Sequence, residues 1–396
     1  MVPNPIGHRT IEENQASAEA AIEDIINALT KPLAEETISN EAEKELITVM
    51  GEDYAEAVEN MNALFMEKCW GDGLPLIPPT DDAVKEMLKG TSHSPDEAVG
   101  VVEPRCGVAT VKMIAINAVM AGCKPEYLPV VLAAVKASLD SAYNLRAVQV
   151  TTGTAIPMLV ISGPICKELD INYRAGSMGP GYRANATIGR AFNLICTTVG
   201  GRWPGTTSMS SFADPGRFTW CFGEDDAALP PGWEPLRTEK GYKQEKSIIF
   251  IMSVLFKHGI YSFMFQEPYG ETLKTVARTI KESLAGWSGE SALILGPDIA
   301  QNLARGAPTK SALKEDLFKS ARIPWGKLKN WEAVRQGAFP PGLDKSLLTD
   351  ESMVSPRLIK PEDLNIIVTG GAGNAAYFTI PWVRTQTTTE LIDKWR

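Results

Sequence analysis

Apolar residues recur at helical spacing, with acidic residues between them, over residues 17–33 and 41–68, which predicts an N-terminal helical layer after a loose arm at residues 1–15. The next stretch, Cys69-Trp-Gly-Asp-Gly-Leu-Pro-Leu-Ile-Pro-Pro-Thr80, is barred from regular helix by Gly71, Gly73, Pro75, Pro78 and Pro79. Thr80, followed by Asp81 and Asp82, supplies an N-cap for a short helix through Leu88. From Cys106 to Cys123 the chain is apolar on nearly every side, which predicts a central helix closed by Gly122. Lys124-Pro125 opens a second apolar helix to about residue 139, since proline is tolerated in a first turn. Residues 148–165 are rich in β-branched side chains and predict one or two strands, residues 184–199 a helix, and residues 218–222 and 248–256 further strands.

Beyond about residue 245 the pattern becomes strand then helix. Residues 291–295 lead through Gly296-Pro297 into a helix over 298–305, and residues 364–369 lead into Gly370-Gly-Ala-Gly-Asn374, a break that reads as preceding another helix. Residues 310–320 are helical, and residues 322–357 are surface chain punctuated by proline and glycine. The expected fold class is α/β or α+β. It comprises a helical N-terminal arm (1–60), a main lobe with a buried helix pair (61–245) and a C-terminal α/β lobe (246–396).

Composition narrows the partners more than the fold. With 39 Lys+Arg against 48 Asp+Glu, the net charge of −9 offers no overall basic field for a nucleic acid. The opening residues lack the basic-then-apolar pattern of a signal peptide, and no run approaches the ~18 apolar residues that span a bilayer. Six cysteines scattered through 396 residues do not resemble a secreted disulfide framework, so free thiols in a reducing cytoplasm are expected.

The stretch richest in candidate chemistry is Gly176-Ser-Met-Gly-Pro-Gly-Tyr-Arg-Ala-Asn-Ala-Thr-Ile-Gly-Arg190. A glycine loop feeding a helix start offers backbone N–H groups and a positive dipole end. Arg183 and Arg190, almost two turns apart, can present guanidinium forks on one face of that helix to a planar oxyanion. Gly179, Gly181, Arg183, Asn185 and Arg190 are therefore the expected substrate-binding residues, joined by Gly371 and Asn374 from the later glycine turn. The expected pocket lies between the two glycine segments. Val199-Gly-Gly-Arg-Trp-Pro-Gly205 and Thr206-Thr-Ser-Met-Ser-Ser211 add backbone and hydroxyl donors suited to the same ligand. No Gly-x4-Gly-Lys-Ser/Thr run occurs, so a nucleotide P-loop is not supported.

The cysteines are too far apart for a ribbon-type zinc site, and three histidines make a His-rich metal site a poor expectation. No cofactor is predicted, although the sequence leaves a metal open. Helical spacing from Cys106 would align Cys106, Thr110, Met113 and Asn117 on one stripe, with Asn117 needing a buried partner. Cys123, after Gly122 and near the helix opened by Pro125, is expected to be a thiol of lowered pKa. Asp72 and Glu103 stand in constrained chain as acid or base candidates, and Lys112 is either a snorkelling or a buried amine. Glu224-Asp225-Asp226 reads as an acidic turn that could also hold Mg²⁺.

Trp70-Gly-Asp-Gly-Leu-Pro-Leu-Ile-Pro-Pro-Thr80, Ile114-Ala-Ile-Asn-Ala-Val-Met-Ala-Gly-Cys123 and Gly179-Pro-Gly-Tyr-Arg-Ala-Asn-Ala-Thr-Ile-Gly-Arg190 resemble a family of poorly characterised bacterial and fungal proteins. That family is associated with UGSC-domain, selenoprotein-related proteins. The resemblance covers roughly residues 60–380 and implies Asp72, Asn117, Cys123, Arg183, Asn185 and Arg190 as site residues, but no named reaction. The chain departs from the UGSC pattern in having no Cys-Gly-Ser-Cys.

These residues together point to an enzyme acting on a small carboxylate or other anionic metabolite by a lyase, hydratase or hydrolase step. In that picture Arg183 holds the anion, Asn117 orients it, and Cys123 or Asp72 carries out nucleophilic or proton-transfer work. A cysteine-dependent redox or metal enzyme is the alternative, and a non-enzymatic ligand-binding subunit the third reading. A second copy of the chain is a partner the expectation admits.

Overall fold

The computed structural model describes residues 10–30, 48–261, 268–283, 290–331, 344–373, 375–382 and 385–396. Residues Met1–Asn60 and Met61–Arg396 form separate compact units. In the first, α1 (Ile11–Thr30) starts earlier than its apolar spacing suggests because Thr10 and Glu13 cap each other reciprocally: Thr10 Oγ1 accepts the Glu13 N–H and Glu13 Oε2 accepts the Thr10 N–H. The second expected helix begins only at α2 (Tyr54–Glu67). Gly51 interrupts the chain before it, and Asp53 Oδ1 accepts the Glu56 N–H as a cap.

In the second unit, α3 (Asp81–Leu88) is capped by Thr80, whose Oγ1 accepts the Ala83 N–H at 3.3 Å. The apolar stretch after it is divided rather than one helix. Cys106 takes a left-handed φ of 59°, and β1 (Ala98–Val102) pairs antiparallel with β2 (Gly107–Thr110). Thr110 then caps α4 (Val111–Ala121) through the Met113 N–H. The stripe expected from Cys106 therefore does not exist, because Cys106 sits in the hairpin turn. Gly122 ends α4 with φ of 88°, and the Cys123 N–H reaches back to Ala118 O, so the turn needs a residue without a Cβ penalty. A 3-10 turn at Pro125–Tyr127 leads into α5 (Leu128–Ser138), which is buried on almost every side.

The β-branched stretch is likewise divided. Residues 148–150 close α6 (Leu145–Val150), β3 (Ile156–Ser162) takes the middle, and Gly163-Pro164 stops the strand before α7 (Ile165–Glu168). Then come α8 (Arg183–Thr198), β4 (Cys221–Gly223), α9 (Leu236–Glu239), β5 (Ile248–Tyr261), α10 (Tyr269–Glu282) and β6 (Ser291–Leu295). They are followed by α11 (Pro297–Ala304), α12 (Lys310–Ser320), a short pair β7 (Ile323–Pro324) and β8 (Met353–Val354), and β9 (Leu364–Val368). No helix follows Gly370. The alternating Ala-Ala-Tyr-Phe-Thr-Ile run forms β10 (Ala375–Pro381) instead, and β11 (Thr388–Leu391) is the last strand.

The fold is α/β, built on one curled mixed sheet of order β4-β3-β5-β10-β6-β9, with β11 also on β5. β5 creates the curl. Its first half pairs with β3 and β11 and its second half with β10, so the strands before and after residue 245 share one sheet. The two edges meet where the Asp225 N–H donates to Val368 O at 2.8 Å. Met158, Val160, Phe222, Phe250, Met252, Ile294 and Ile367 fill the concave face, while α10, α11 and α12 cover the outside of the second half. Fully buried side chains such as Phe222 and Phe250 each contribute roughly 1.5–3 kcal/mol. Among the described residues no helix is long and apolar enough to cross a membrane.

Candidate functional site

Two cavities stand out in the second unit, and they differ in chemistry. The first, of about 340 Å³, lies beside the C-terminal end of α8, between the Trp-Gly-Asp-Gly loop and residues 202–218. Met66, Trp203 and Phe218 give it apolar walls, and Asp72, Arg202, Ser208, Asp214 and Arg217 its polar groups.

The backbone places Arg202 tightly. Its N–H donates to Cys196 O as the chain leaves α8, and Gly201 turns with φ of 70° where a Cβ would meet Arg105 at 2.5 Å. Only glycine fits that turn. The buried Arg202 guanidinium donates to Gln149 Oε1 at 3.3 Å, Asn193 Oδ1 at 3.1 Å and Asn193 O at 3.3 Å. Arg217 sits in the 3-10 turn Pro215–Arg217, which Asp214 caps through the Gly216 N–H. It donates to Ala155 O at 2.9 Å, Ser208 Oγ at 2.9 Å and Val148 O at 3.5 Å.

Every one of those acceptors is neutral. Among the described residues neither guanidinium has a carboxylate oxygen within 4.0 Å, whereas the buried Arg237 holds Asp226 at 2.7 Å. Burial pushes the Arg202 guanidinium below its usual pKa, and burial with the charge of Arg202 pushes Arg217 down to about 10. A buried and a half-buried cation thus share one cavity with no counter-charge in contact, an arrangement that disfavours their charged forms. A further orphan lies behind them: the fully buried Tyr143 Oη makes no hydrogen bond, and burial raises its pKa.

The second cavity, of about 450 Å³, is at the mouth of the curled sheet. Gly176, Ser177, Met178 and Gly179 face Thr369, Gly370, Gly371, Ala372 and Gly373 across it, with Gly296 and Tyr377 between. The Gly370 N–H donates to Tyr173 O at 2.9 Å, and Thr369 Oγ1 lies 3.2 Å from Ser177 Oγ. Gly371 must be glycine for close packing, since a Cβ would stand 2.8 Å from the Cβ of Ala175. The structure therefore brings the two glycine segments together, but among the described residues no charged side chain lines the space between them.

The arginines expected to serve that space are engaged elsewhere. Arg190 grips Asp72 bidentately, Nε to Oδ2 at 2.8 Å and Nη2 to Oδ1 at 3.0 Å, and also donates to Leu74 O and Pro75 O. Its Nε and Nη2 are taken up by these contacts, and it fastens the proline-rich loop to α8. Arg183 Nε donates to Gly122 O at 2.9 Å, an end carbonyl of α4, and its side chain lines neither cavity. Asn185, expected to bind substrate, is buried. Its amide reaches Asn172 O, Ser177 O and Cys221 O while Oδ1 accepts the Asn172 N–H at 2.7 Å. It positions the glycine loop and has no capacity left for a ligand. Asn117 finds its buried partner in Thr198, whose Oγ1 donates to Oδ1 at 2.8 Å, and so ties α4 to α8 rather than orienting a substrate.

Cys123 reverses its expectation. It is buried, and desolvation raises its thiol to about 12, outweighing the nearby Thr187 hydroxyl and the charges of Arg183 and Arg190. Gly181 (φ 119°) lies on the exposed bend before α8 and lines neither cavity, while Gly179 and Gly371 line the glycine cavity. Asn374 lies outside the described residues.

Lys112 is exposed, so it snorkels rather than serving as a buried amine, and Glu103 stands 3.7 Å from Arg146. The acidic run is structural. Glu224 accepts from Ser162 Oγ, the Leu236 N–H and Lys310 Nζ, Asp225 caps a 3-10 turn, and Asp226 pairs with Arg237. Among the described residues no group of three or more His, Cys, Asp or Glu could hold a metal ion.

The chain matches no protein-family model and no curated protein, so the UGSC resemblance rests on its motifs alone.

Proposed function

We propose that the chain binds a small organic oxyanion in the Arg202/Arg217 cavity and acts on it as an enzyme of the lyase or hydratase kind. One observation carries the reading: the buried guanidinium of Arg202 and the half-buried one of Arg217 line one cavity, and all their protein acceptors are neutral. A carboxylate held by both would offset one of the two positive charges and accept fork-shaped hydrogen bonds. Asp72, fixed by Arg190 at the same cavity, is the group placed to take up a proton from a carbon beside the bound carboxylate. A cysteine mechanism has less behind it, because none of the buried thiols of Cys123, Cys166, Cys196 and Cys221 lines this cavity. All six cysteines are free, which fits a reducing cytoplasm.

Thermal-shift titration with acetate, benzoate and phosphate tests the reading. Arg217→Gln should cut the affinity of the best anion by roughly tenfold or more, the worth of a charge-assisted contact. An unchanged titration in that variant, or no anion-dependent shift in the wild type beyond the general salt effect, would remove the site.

A further inference from the structure

Asp214 makes the arginine cavity bipolar. Its carboxylate lines the same space as Arg202 and Arg217, Oδ1 accepts only the Gly216 N–H, and no Lys, Arg or His lies within ion-pair reach among the described residues. Arg217 senses its charge only weakly beside the stronger influences of burial and of Arg202. Asp72, the other carboxylate in the cavity, is already neutralised by Arg190. The cavity is therefore lined by two cations and one anion that have no ion-pair partner, a positive and a negative pole. Trp203, Phe218 and Met66 add aromatic and apolar lining to the same space. A plain carboxylate would satisfy the first pole and be repelled by the second; a dicarboxylate would meet that repulsion with its other end.

We propose that the ligand is a zwitterion of amino-acid type with an aromatic side chain. Its carboxylate lies on Arg202 and Arg217, its ammonium on Asp214, and its ring against Trp203 and Phe218. This rests on the anion reading of the same cavity and adds the ammonium pole and the aromatic body. An ammonium supplies three donors to a carboxylate that has acceptor capacity to spare, and the ring faces add stacking and apolar contact.

The test uses three probes of one skeleton on the full chain, followed by calorimetry: L-phenylalanine, 3-phenylpropionate, which lacks the ammonium, and 2-phenylethylamine, which lacks the carboxylate. The wild type should bind L-phenylalanine at least about tenfold more tightly than either of the others. Asp214→Asn should erase that advantage while leaving 3-phenylpropionate as tightly bound or tighter. Asp214→Ser, which keeps a capping oxygen for Gly216, should do the same and so separates ligand contact from folding. Equal affinity of L-phenylalanine and 3-phenylpropionate for the wild type overturns the proposal, as does an equal loss of both in the Asp214 variants. Binding of acetate or phosphate with neither phenyl acid binding overturns this inference and leaves the anion reading standing. Absence of binding by every anion overturns both.

Discussion

The start of α8 and the chain that leaves its end each carry two arginines, yet they use them in opposite ways. At the start, Arg190 meets a carboxylate and two carbonyls, so its charge is cancelled within the fold, and exposed Arg183 donates to the Gly122 carbonyl with its charge left to solvent. Past the end, buried Arg202 and half-buried Arg217 meet amides, carbonyls and a hydroxyl, which satisfy hydrogen-bond geometry without cancelling charge. A cation paired within the fold is a fastener. A cation beside neutral partners, in a cavity, keeps its charge uncancelled by the fold, and the proposed anion would meet it there.

The largest effect that can break this contrast concerns the thiol beside the fasteners. With Cys123 raised from 9.0 to about 12, its thiolate fraction near neutral pH is lowered roughly a thousandfold. Exposed Cys106 should accordingly be labelled by a maleimide long before Cys123, which should react only on unfolding. Peptide mapping that found Cys123 labelled first, and protected by a bound anion, would return the site to the start of α8.

Next in size is the Asp72–Arg190 pair, whose side chains are each 15% exposed. Arg190→Leu should cost roughly 2–4 kcal/mol in denaturant unfolding, because it strands a partly buried carboxylate and two carbonyls. Replacing Asp72 by Leu as well should recover part of that loss. A stability within a few tenths of a kcal/mol of the wild type in the single variant would mean that this pair fastens nothing.

These two results bear on what the sequence could reveal. Glycine spacing in Gly176-Ser-Met-Gly and Gly370-Gly-Ala-Gly was enough to expect a shared space, because such runs mark bends that leave room, and the structure places both along one cavity. The helical spacing of Arg183 and Arg190 was equally legible, but spacing says where a side chain starts, not which group across the fold it meets. Asp72 lies more than a hundred residues from Arg190, and no local pattern links them. Arg202 lies within a stretch whose donor pattern is dominated by glycines and hydroxyls, which hides the one charged group among them. Arg217, in Asp214-Pro-Gly-Arg-Phe218, carries no spacing signal at all. For the fold, apolar content identified the buried helix pair around α4 and α5. It overran their ends because Cys106-Gly-Val-Ala-Thr110 is apolar in either a strand or a helix, and the left-handed Cys106 settles which. The alternation in Ala-Ala-Tyr-Phe-Thr-Ile was readable as a strand, and the glycine turn before it drew the reading toward a helix.

The smallest effect sharpens the picture of fasteners. His93 accepts no ligand role: its ring contacts Lys394 O and Glu97 and stacks beside Trp395, and the Lys394 carbonyl, with Glu97, raises its pKa above 6.5. A raised folded-state pKa means that protonated His93 adds stability below the unfolded value, and that this share disappears as pH rises from 6.5 through the folded pKa. Its partner Glu97 is exposed and solvent screens the pair, so the change should be a few tenths of a kcal/mol to about 1 kcal/mol. Unfolding curves of wild type and His93→Gln should differ most near pH 6 and converge at pH 9; a constant gap would show that charge is not involved.

The contrast between the two arginine pairs is tested most directly by calorimetric titration of 3-phenylpropionate into the wild type, Arg183→Gln and Arg202→Gln. Loss of a charge-assisted contact predicts at least about tenfold weaker binding for Arg202→Gln, and an affinity within about twofold of the wild type for Arg183→Gln. The opposite ranking, or equal losses in both variants, would contradict the assignment of the anion to the Arg202/Arg217 cavity.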